Sequence, residues 1–401
     1  MPRRESHECD KLPGHRVQHR PAGPRARAAR PFSDRRGIGR VSWAAVNGQS
    51  SLYSSEAYLH QLLAKAVAAK ASDVHIKVGQ PPGARVRGEM VYFRLDRINP
   101  ADTEACARLI IRDPTVAASL DQLQEYDTSY AVPKLGRFRV NIYRQRGTLA
   151  MVLRSIPQNI PTFEDLGCPP ACRFLAERER GLVLVVGAAG NGKSSTLASM
   201  IGHINRTQAT HIVTVEDPIE FLHADERSSI SQREVGLDTH SFAGALRAAL
   251  RQDPDVILVG EIRDEETMEI ALKAAETGHL VLSTLHTPDV ARTVNRILSL
   301  APDRGQADMR DRIADALQGV VAQRLLPRKD GQGLALVAEV LVVTGTARET
   351  IKNPQGGTPP LKEVMEKGQS PYGMQTFEMH SKVLVQQGII ERDVARTAAA
   401  F

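Results

Sequence analysis

Residues 187–194, GAAGNGKS, match the phosphate-binding pattern G-x-x-x-x-G-K-[ST]. An apolar segment (182–186) precedes them and a helix-like segment, SSTLASMIGHIN, follows, which is the setting that this motif requires. Glycines let backbone amides wrap an anion at a helix N-terminus, where the partial positive charge favours phosphate. The lysine is expected to contact the β- and γ-phosphates of ATP and the serine hydroxyl to bind Mg²⁺. The expected nucleotide-binding residues are Gly187, Gly190, Asn191, Gly192, Lys193, Ser194 and Ser195.

Acidic side chains follow two further apolar segments. Glu216, Asp217 and Glu220 come after the first, and Glu261 comes after the second. A carboxylate beside a triphosphate can hold Mg²⁺ through water or orient the attacking water. Taken alone, the first group is more typical of a solvated acidic turn that ends a strand. Glu261 follows a glycine where the metal-binding strand of a P-loop enzyme usually ends in aspartate, so it can serve the metal, the water or both.

Histidines and arginines near these segments are weaker candidates. In GHLVLSTLH, His279 precedes an apolar segment and His286 follows it, so only His286 is expected near the nucleotide. A single histidine is more often structural, and His279 is also compatible with a strand cap. Arg247 and Arg251 lie one helical turn apart and are either surface charges or phosphate sensors.

The elements that must position these residues alternate between strand and helix from about residue 165. Apolar segments separated by helical ones predict an α/β fold with a largely parallel sheet, which binds ligands beyond the carboxyl ends of its strands. The predicted strands are 182–186, 212–215, 256–259 and 280–282.

A smaller α+β domain is predicted before this sheet. Ser54 or Ser55 can cap a helix, the segment SDVHIKVG alternates as a half-buried strand does, and a hairpin is expected near Gly88 and Glu89. In GRFRVNIYRQRG, the apolar side chains alternate with Arg137, Arg139 and Asn141. A proline-rich segment then joins the two domains. The predicted boundaries are 1–48 for a basic tail, 49–155 for the first domain, 156–164 for the linker and 165–401 for the second domain.

Charge and composition narrow the function. Of the net charge of +6, the first 40 residues contribute +7, from ten arginines and Lys11 against four acidic residues, so the remainder carries −1. A near-neutral folded part argues against nucleic-acid binding. The tail is interpreted either as a disordered basic arm or as the product of a start codon assigned too far upstream. The four cysteines are too few for a disulfide scaffold, and no apolar run reaches membrane-spanning length.

Taken together, several segments resemble the secretion ATPase superfamily in its type IV pilus branch. GAAGNGKSSTL, VTVEDPIEF, ALRAALRQDPDVILVGEIRD and AAETGHLVLSTLHT are similar to the P-loop, Asp box, Walker B and His box of these motors, in that order. SDVHIKVGQPP, GRFRVN and GMQTFEMHSKVLVQQGII resemble the retraction (PilT/PilU) subfamily. The resemblance covers about residues 55–395.

The resemblance implies a PAS-like N-terminal domain, a RecA-like ATPase domain and a homohexameric ring. It places Glu220 and Glu261 on the catalytic glutamates, with Glu220 as the base that activates water, and His279 and His286 on the His box. Ser194 and Glu261 are the implied Mg²⁺ ligands. Arg139 and Arg154 fall on arginines that approach the phosphates from the N-terminal domain; without the resemblance, both are ordinary surface charges.

The implied function is a cytoplasmic motor at the inner face of the cytoplasmic membrane that retracts type IV pili through an inner-membrane platform protein, sometimes beside a sister retraction ATPase. Alternatives are a pilus assembly or type II secretion ATPase, a slow nucleotide-gated accessory subunit, and, less favoured, a DNA translocase. One departure from the retraction pattern keeps the direction open: TARETIKN, residues 346–353, stands where that subfamily carries an AIRNLIRE-like segment.

Overall fold

The computed structural model of the chain describes residues 51–157, 159–301 and 305–399, and the predicted basic tail lies outside the described residues. Two sheets are present, each covering its own hydrophobic core. The first core draws its residues from the segment between Tyr53 and Leu153, and the second begins at Phe163. The predicted α/β fold, with a small α+β domain ahead of it, is therefore confirmed.

The N-terminal domain is a six-stranded antiparallel sheet of order β3-β2-β1-β6-β5-β4, packed against helices α1 and α2. Its elements are α1 (Glu56–Ala68), β1 (Ala71–Lys77), β2 (Gly83–Val86), β3 (Glu89–Tyr92), α2 (Pro100–Ile110), α3 (Pro114–Ala118), β4 (Glu125–Val132), β5 (Gly136–Gln145) and β6 (Thr148–Ser155).

Local signals in the sequence account for these elements. Ser55 caps α1 by accepting the amide of Tyr58, as predicted. The predicted hairpin joins β2 to β3 through Arg87 and Gly88, both at positive φ, as the favoured two-residue turns require. In β5, the apolar side chains are buried and Arg139 is exposed, which confirms the predicted alternation. The PAS-like character of this domain stays a prediction.

The C-terminal domain has a seven-stranded sheet of order β13-β12-β7-β11-β10-β8-β9, parallel except for β13 at one edge. Its elements are α4 (Phe163–Leu166), α5 (Pro170–Ala176), β7 (Gly181–Val186), α6 (Lys193–Thr207), β8 (His211–Glu216), β9 (Ser229–Glu234), α7 (Phe242–Ala249), β10 (Val256–Val259), α8 (Glu265–Glu276), β11 (Leu280–Leu285), α9 (Val290–Leu298), α10 (Gln306–Ala316), β12 (Leu317–Pro327), β13 (Leu334–Val342), α11 (Gly345–Lys352), α12 (Leu361–Lys367), α13 (Gln369–Tyr372), α14 (Phe377–Gln386) and α15 (Arg392–Ala399).

The four predicted strands form the centre of this sheet, as β7, β8, β10 and β11, whereas β9, β12 and β13 were not predicted. Every residue of β7 is buried, because helices cover both faces of the sheet. The segment that joins the two domains is hydrogen-bonded to the C-terminal domain. The carbonyl of Pro161 accepts the hydroxyl of Ser199 at 2.7 Å, so the joining segment is fastened to α6, the helix that follows the P-loop.

The close packing around β12 can be tested by substituting Gly319. A Cβ atom on Gly319 would lie 2.6 Å from Leu175 Cδ2 and 2.6 Å from the carbonyl oxygen of Leu341. Gly319→Ala is therefore expected to destabilise the domain by about 1–3 kcal/mol, as overpacking does. Thermal unfolding measures the effect.

The matched control is Gly345→Ala at the first turn of α11, where nothing lies within 4 Å of the added Cβ. Its unfolding temperature should equal or exceed that of the parent protein. A Gly319→Ala variant that melts with this control would contradict the packing described.

Candidate active site

The P-loop connects β7 to α6, and β12 fixes its path. Gly187 has a φ of 146°, and a Cβ there would lie 2.6 Å from the carbonyl oxygen of Gln323. Asn191 Oδ1 accepts the amide of Leu325 at 3.2 Å, which ties the loop to β12 a second time. Gly192, the N-cap of α6, has no side chain with which to cap the helix, so the first amides of α6 stay available to an anion.

Lys193 lies inside the loop rather than in solvent. Its Nζ donates to the carbonyl oxygens of Gly187 at 2.9 Å and Ala188 at 3.1 Å, and lies 3.4 Å from His286 Nδ1. Only 8% of Lys193 is exposed. Burial lowers the pKa of Lys193, while the charges of Glu261 and Glu220 act in the opposite direction. The ammonium is thus held at the mouth of the loop, facing the acidic side chains.

A cleft of about 530 Å³ opens at the carboxyl ends of the parallel strands. It brings together the P-loop, both glutamates that were predicted to be catalytic and one of the two histidines. Each arrives from a different strand end, β7, β8, β10 or β11, because parallel strands in register end at the same edge. The chemically important residues that line it are Lys193, Ser194, Glu220, Glu261, Arg263 and His286.

Glu261 is the centre of an ion-pair network across the cleft. Its Oε2 accepts Arg263 Nε at 2.8 Å, and its Oε1 lies 3.3 Å from His286 Nε2. Arg263 also reaches to within 3.7 Å of Asp217 Oδ2. The hydrogen bond to Glu261 raises the pKa of Arg263. Arg263 was not predicted as a site residue, although it stands two residues after Glu261 in GEIRD.

The acidic group at the carboxyl end of β8 divides into a half-buried anchor, Glu216, and an exposed carboxylate, Glu220. Glu216 accepts the hydroxyl of Thr214 at 2.7 Å and the amide of Gln232 at 3.2 Å, and burial raises its pKa. Its Oε2 also accepts the backbone N–H of Glu220 at 3.4 Å. Glu220 itself has an exposed side chain in the cleft. Glu216 therefore holds the segment in place, and Glu220 presents its carboxylate to the cleft.

Three predicted catalytic residues do not reach this cleft within one chain. His279 lies at the amino end of β11, the opposite edge of the sheet, where its Nδ1 is 2.9 Å from the carbonyl oxygen of Ala274. Arg139 and Arg154 face each other on β5 and β6. Arg154 Nε donates to Asp73 Oδ1 at 2.8 Å. Burial of Asp73 opposes its ionisation, but the hydrogen bonds from Arg154 and Ser72 bring its pKa below the usual range.

The two arginines that were candidate phosphate sensors, Arg247 in α7 and Arg251 just after this helix, also lie elsewhere. Arg247 is paired with Glu266 of α8, and Arg251 donates to the carbonyl oxygen of Arg247 at 3.0 Å. Both residues are accounted for by contacts at the surface of the domain.

The residues present fit a nucleotide-bound Mg²⁺. Across the described ranges, no three His, Cys, Asp or Glu side chains converge into a metal site made by protein alone. Mg²⁺ bound with a nucleotide needs only one or two protein ligands, since phosphates and water supply the rest. Ser194, at the start of α6, and Glu261, across the cleft, are oxygen ligands of the kind that this ion prefers.

Comparison with known proteins agrees with this geometry. Residues 49–368 match the family described as type II/IV secretion system protein. The chain is 40% identical over 339 residues to the type IV pilus retractation ATPase PilT of Pseudomonas aeruginosa, covering 84% of this chain and 97% of that one. It is 39% identical over 321 residues to the type IV pilus ATPase PilU of the same organism, covering 80% and 82%.

Among solved structures, the pilus retraction motor PilT with bound ADP is 41% identical and superposes with a TM-score of 0.78, over 86% of this chain and 97% of that one. Within the residues that the structure describes, no helix combines the length and apolar character needed to cross a bilayer.

The position of Lys193 predicts that nucleotide affinity depends on this side chain. Lys193→Ala removes a charge-assisted contact to phosphate, so affinity for ATP should fall by roughly 10- to 100-fold. Binding of a fluorescent ATP analogue to the purified protein measures this change. Lys273→Ala, an exposed lysine on α8, serves as the control and should bind normally. Equal affinity in the two variants would remove Lys193 from the site.

Proposed function

This chain belongs to the type II/IV secretion system protein family, and from that premise we propose that it is a hexameric ATPase that drives type IV pilus retraction. One observation carries the proposal. The cleft joins a complete P-loop to Glu220 and Glu261 in a chain that matches pilus retraction ATPases over nearly their whole length. The ring itself rests on the family resemblance.

Nucleotide binding uses residues 187–195. The backbone amides of the loop and of the first turn of α6 surround the phosphates, and Lys193 exchanges its carbonyl partners for phosphate oxygens. Ser194 and Glu261 are the residues that would hold Mg²⁺, and the ion when bound would neutralise charge on the nucleotide. His286 orients Glu261 through the 3.3 Å contact between His286 Nε2 and Glu261 Oε1.

In the hydrolysis step, Glu220 acts as the general base. Its exposed carboxylate accepts a proton from the attacking water as the new bond to the γ-phosphorus forms. The bond between the γ-phosphorus and the bridging oxygen breaks, and ADP and phosphate are released. The amide of Glu220 is fixed by Glu216, so the carboxylate is presented from an ordered segment.

The remaining predicted residues act in the assembled ring. Arg139 and Arg154 lie beside each other on the N-terminal domain, and both are exposed and thus able to approach a nucleotide held elsewhere in the ring. An arginine that arrives across an interface stabilises the charge of the transition state and couples hydrolysis to domain movement. His279, at the opposite edge of the sheet, is assigned to an interface role rather than to the chemistry of its own cleft.

The surroundings of the motor follow from the same proposal. It works in the cytoplasm at the inner face of the cytoplasmic membrane and acts on the pilus through an inner-membrane platform protein, in some cells beside a sister retraction ATPase. No nucleic acid takes part.

A motor of opposite direction, a pilus assembly or type II secretion ATPase, is the second candidate because of the TARETIKN segment. In the structure this segment forms most of α11, where Ile351 is buried and Arg348 Nε donates to the carbonyl oxygen of Ala314 at 3.0 Å. The residues shared with the retraction pattern, Arg348 and Ile351, thus hold the helix in place. A slow nucleotide-gated accessory subunit is the third candidate.

Glu220→Gln tests the proposed base. The amide keeps the size of the side chain but cannot take a proton, so kcat should fall by about 10²- to 10⁴-fold while ATP binding persists. Phosphate release by purified rings measures the turnover. Glu226→Gln, an exposed glutamate six residues further on, is the control. Turnover in Glu220→Gln at the rate of this control would overturn the assignment of the base.

The same substitution separates the directions of the motor in living cells. Cells whose only copy carries Glu220→Gln should accumulate surface pili that do not retract, and twitching should stop. Cells without pili would identify an assembly motor. An unchanged pilus count would favour the accessory role.

Arg139→Ala and Arg154→Ala should each lower kcat by roughly 10-fold or more if the side chains reach a phosphate. Arg139→Ala should leave the unfolding temperature nearly unchanged, because this side chain is exposed. Arg154→Ala also removes the partner of the buried Asp73, so some stability should be lost and its kcat is measured well below its unfolding temperature. Arg85→Ala, on strand β2, which is separated from β6 by β1, also removes a cation near Asp73, at 4.0 Å, and is the control for lost charge. If both variants have the kcat of the parent protein, Arg139 and Arg154 are ordinary surface residues.

A further inference from the structure

An ion pair joins the two domains behind the catalytic segment. Arg137 Nη2 of β5 lies 3.0 Å from Glu234 Oε2, at the last residue of β9. The Glu234 side chain is 4% exposed and that of Arg137 19%. This pair is therefore mostly removed from water, unlike the exposed arginines on the same sheet.

Glu234 also contacts the segment that carries Glu220. Its Oε2 accepts the backbone N–H of Ile219 at 3.2 Å, one residue before Glu220. On the other side of Glu220, Gln232 of the same strand donates to the carbonyl oxygen of Phe221 at 2.9 Å. Side chains of β9 thus hold the backbone both before and after the proposed base, and one of these side chains is bonded to the N-terminal domain.

Arg137 is itself fixed by its own domain. Its Nε and Nη2 donate to Ser129 Oγ at 3.0 and 2.7 Å, and Ser129 is buried in β4. The guanidinium therefore moves with the N-terminal sheet rather than following Glu234. A rotation of one domain against the other would separate the charges rather than stretch a flexible contact.

We propose that Arg137 and Glu234 form a positioning pair through which the orientation of the N-terminal domain sets the placement of Glu220. The proposal rests on the assignment of Glu220 as base. A buried carboxylate that loses its cation is strongly unfavourable, so it rearranges or takes up water or a proton. Its bond to the Ile219 amide then weakens, and the segment that carries Glu220 loses an anchor. Hydrolysis is efficient only while the domains are in the paired orientation.

The test uses purified hexamers carrying Arg137→Gln, Glu234→Gln or both substitutions. Arg137→Gln leaves a buried charge without its cation, and kcat should fall by ~3- to 30-fold, the scale of coupling through such contacts. The KM for ATP should change by less than about twofold, since no P-loop contact is altered. In the double variant, most of kcat should return, because a neutral glutamine still accepts the Ile219 N–H and needs no cation.

Arg108→Gln is the matched control, since this arginine of α2 donates to the carbonyl oxygen of Ala117 in its own domain, at 2.7 Å. It should keep the parent kcat. Size-exclusion chromatography and thermal unfolding establish that each variant forms rings.

Parent kcat in Arg137→Gln would overturn the proposal, as would losses that simply add in the double variant. A parallel loss of ATP affinity and thermal stability, without recovery in the double variant, would assign the pair a structural role and overturn it as well. Glu220→Gln is measured alongside. If Glu220→Gln is inactive and Arg137→Gln is normal, only the positioning pair fails; if Glu220→Gln is active, the proposed base fails and the pair with it.

Discussion

The parallel pairing of β7, β11, β10 and β8 is the constraint on which the site depends. Hydrogen-bonded register brings the ends of these four strands to one edge, although the residues that follow them are far apart in the chain. A residue after one strand end thereby meets residues after the others. The strands are buried on both faces, so this edge is where loops leave the core and polar groups meet solvent.

Hydrogen bonds from polar side chains then hold the loops at this edge in a defined geometry. Glu216 holds the amide of Glu220, and Gln232 holds the carbonyl of Phe221. Gln323 acts similarly for the P-loop helix, since its Nε2 donates to Thr196 Oγ1 at 2.7 Å. A buried polar group is tolerated when its hydrogen bonds are made, and these bonds then leave the neighbouring backbone little freedom. The segment that carries Glu220 is ordered because several such groups contact it.

The parts of the site that could be predicted from the sequence are those that a local sequence pattern encodes. The P-loop is continuous in the chain, and Glu220 and Glu261 follow recognisable strands, so their meeting in one cleft was predictable. The roles of Arg263, Gln323 and Glu234 arise from tertiary contacts; Gln323 and Thr196 are 127 residues apart. His279 was predicted from resemblance alone, and its place before β11 puts it at the far edge of the sheet.

For the fold, periodicity located the central strands but missed others. The edge strand β9, SISQRE, is largely polar, and its half-exposed position needs no apolar pattern. Strand β13 is an apolar run broken by Glu339, and such a run by itself does not distinguish a buried strand from a short helix. It pairs antiparallel with β12, which in turn lies beside the P-loop strand β7, and this arrangement is decided by tertiary packing.

The burial of Lys193 has a thermodynamic consequence for the whole protein. In the folded chain, the ammonium of Lys193 is already removed from water and bonded to its own loop. The free-energy cost of dehydrating it therefore falls on folding and not on ligand binding. A ligand then meets a charge that is already oriented and dry, which strengthens the attraction to phosphate. The P-loop is thus a place where this protein gives up conformational stability in exchange for preorganisation.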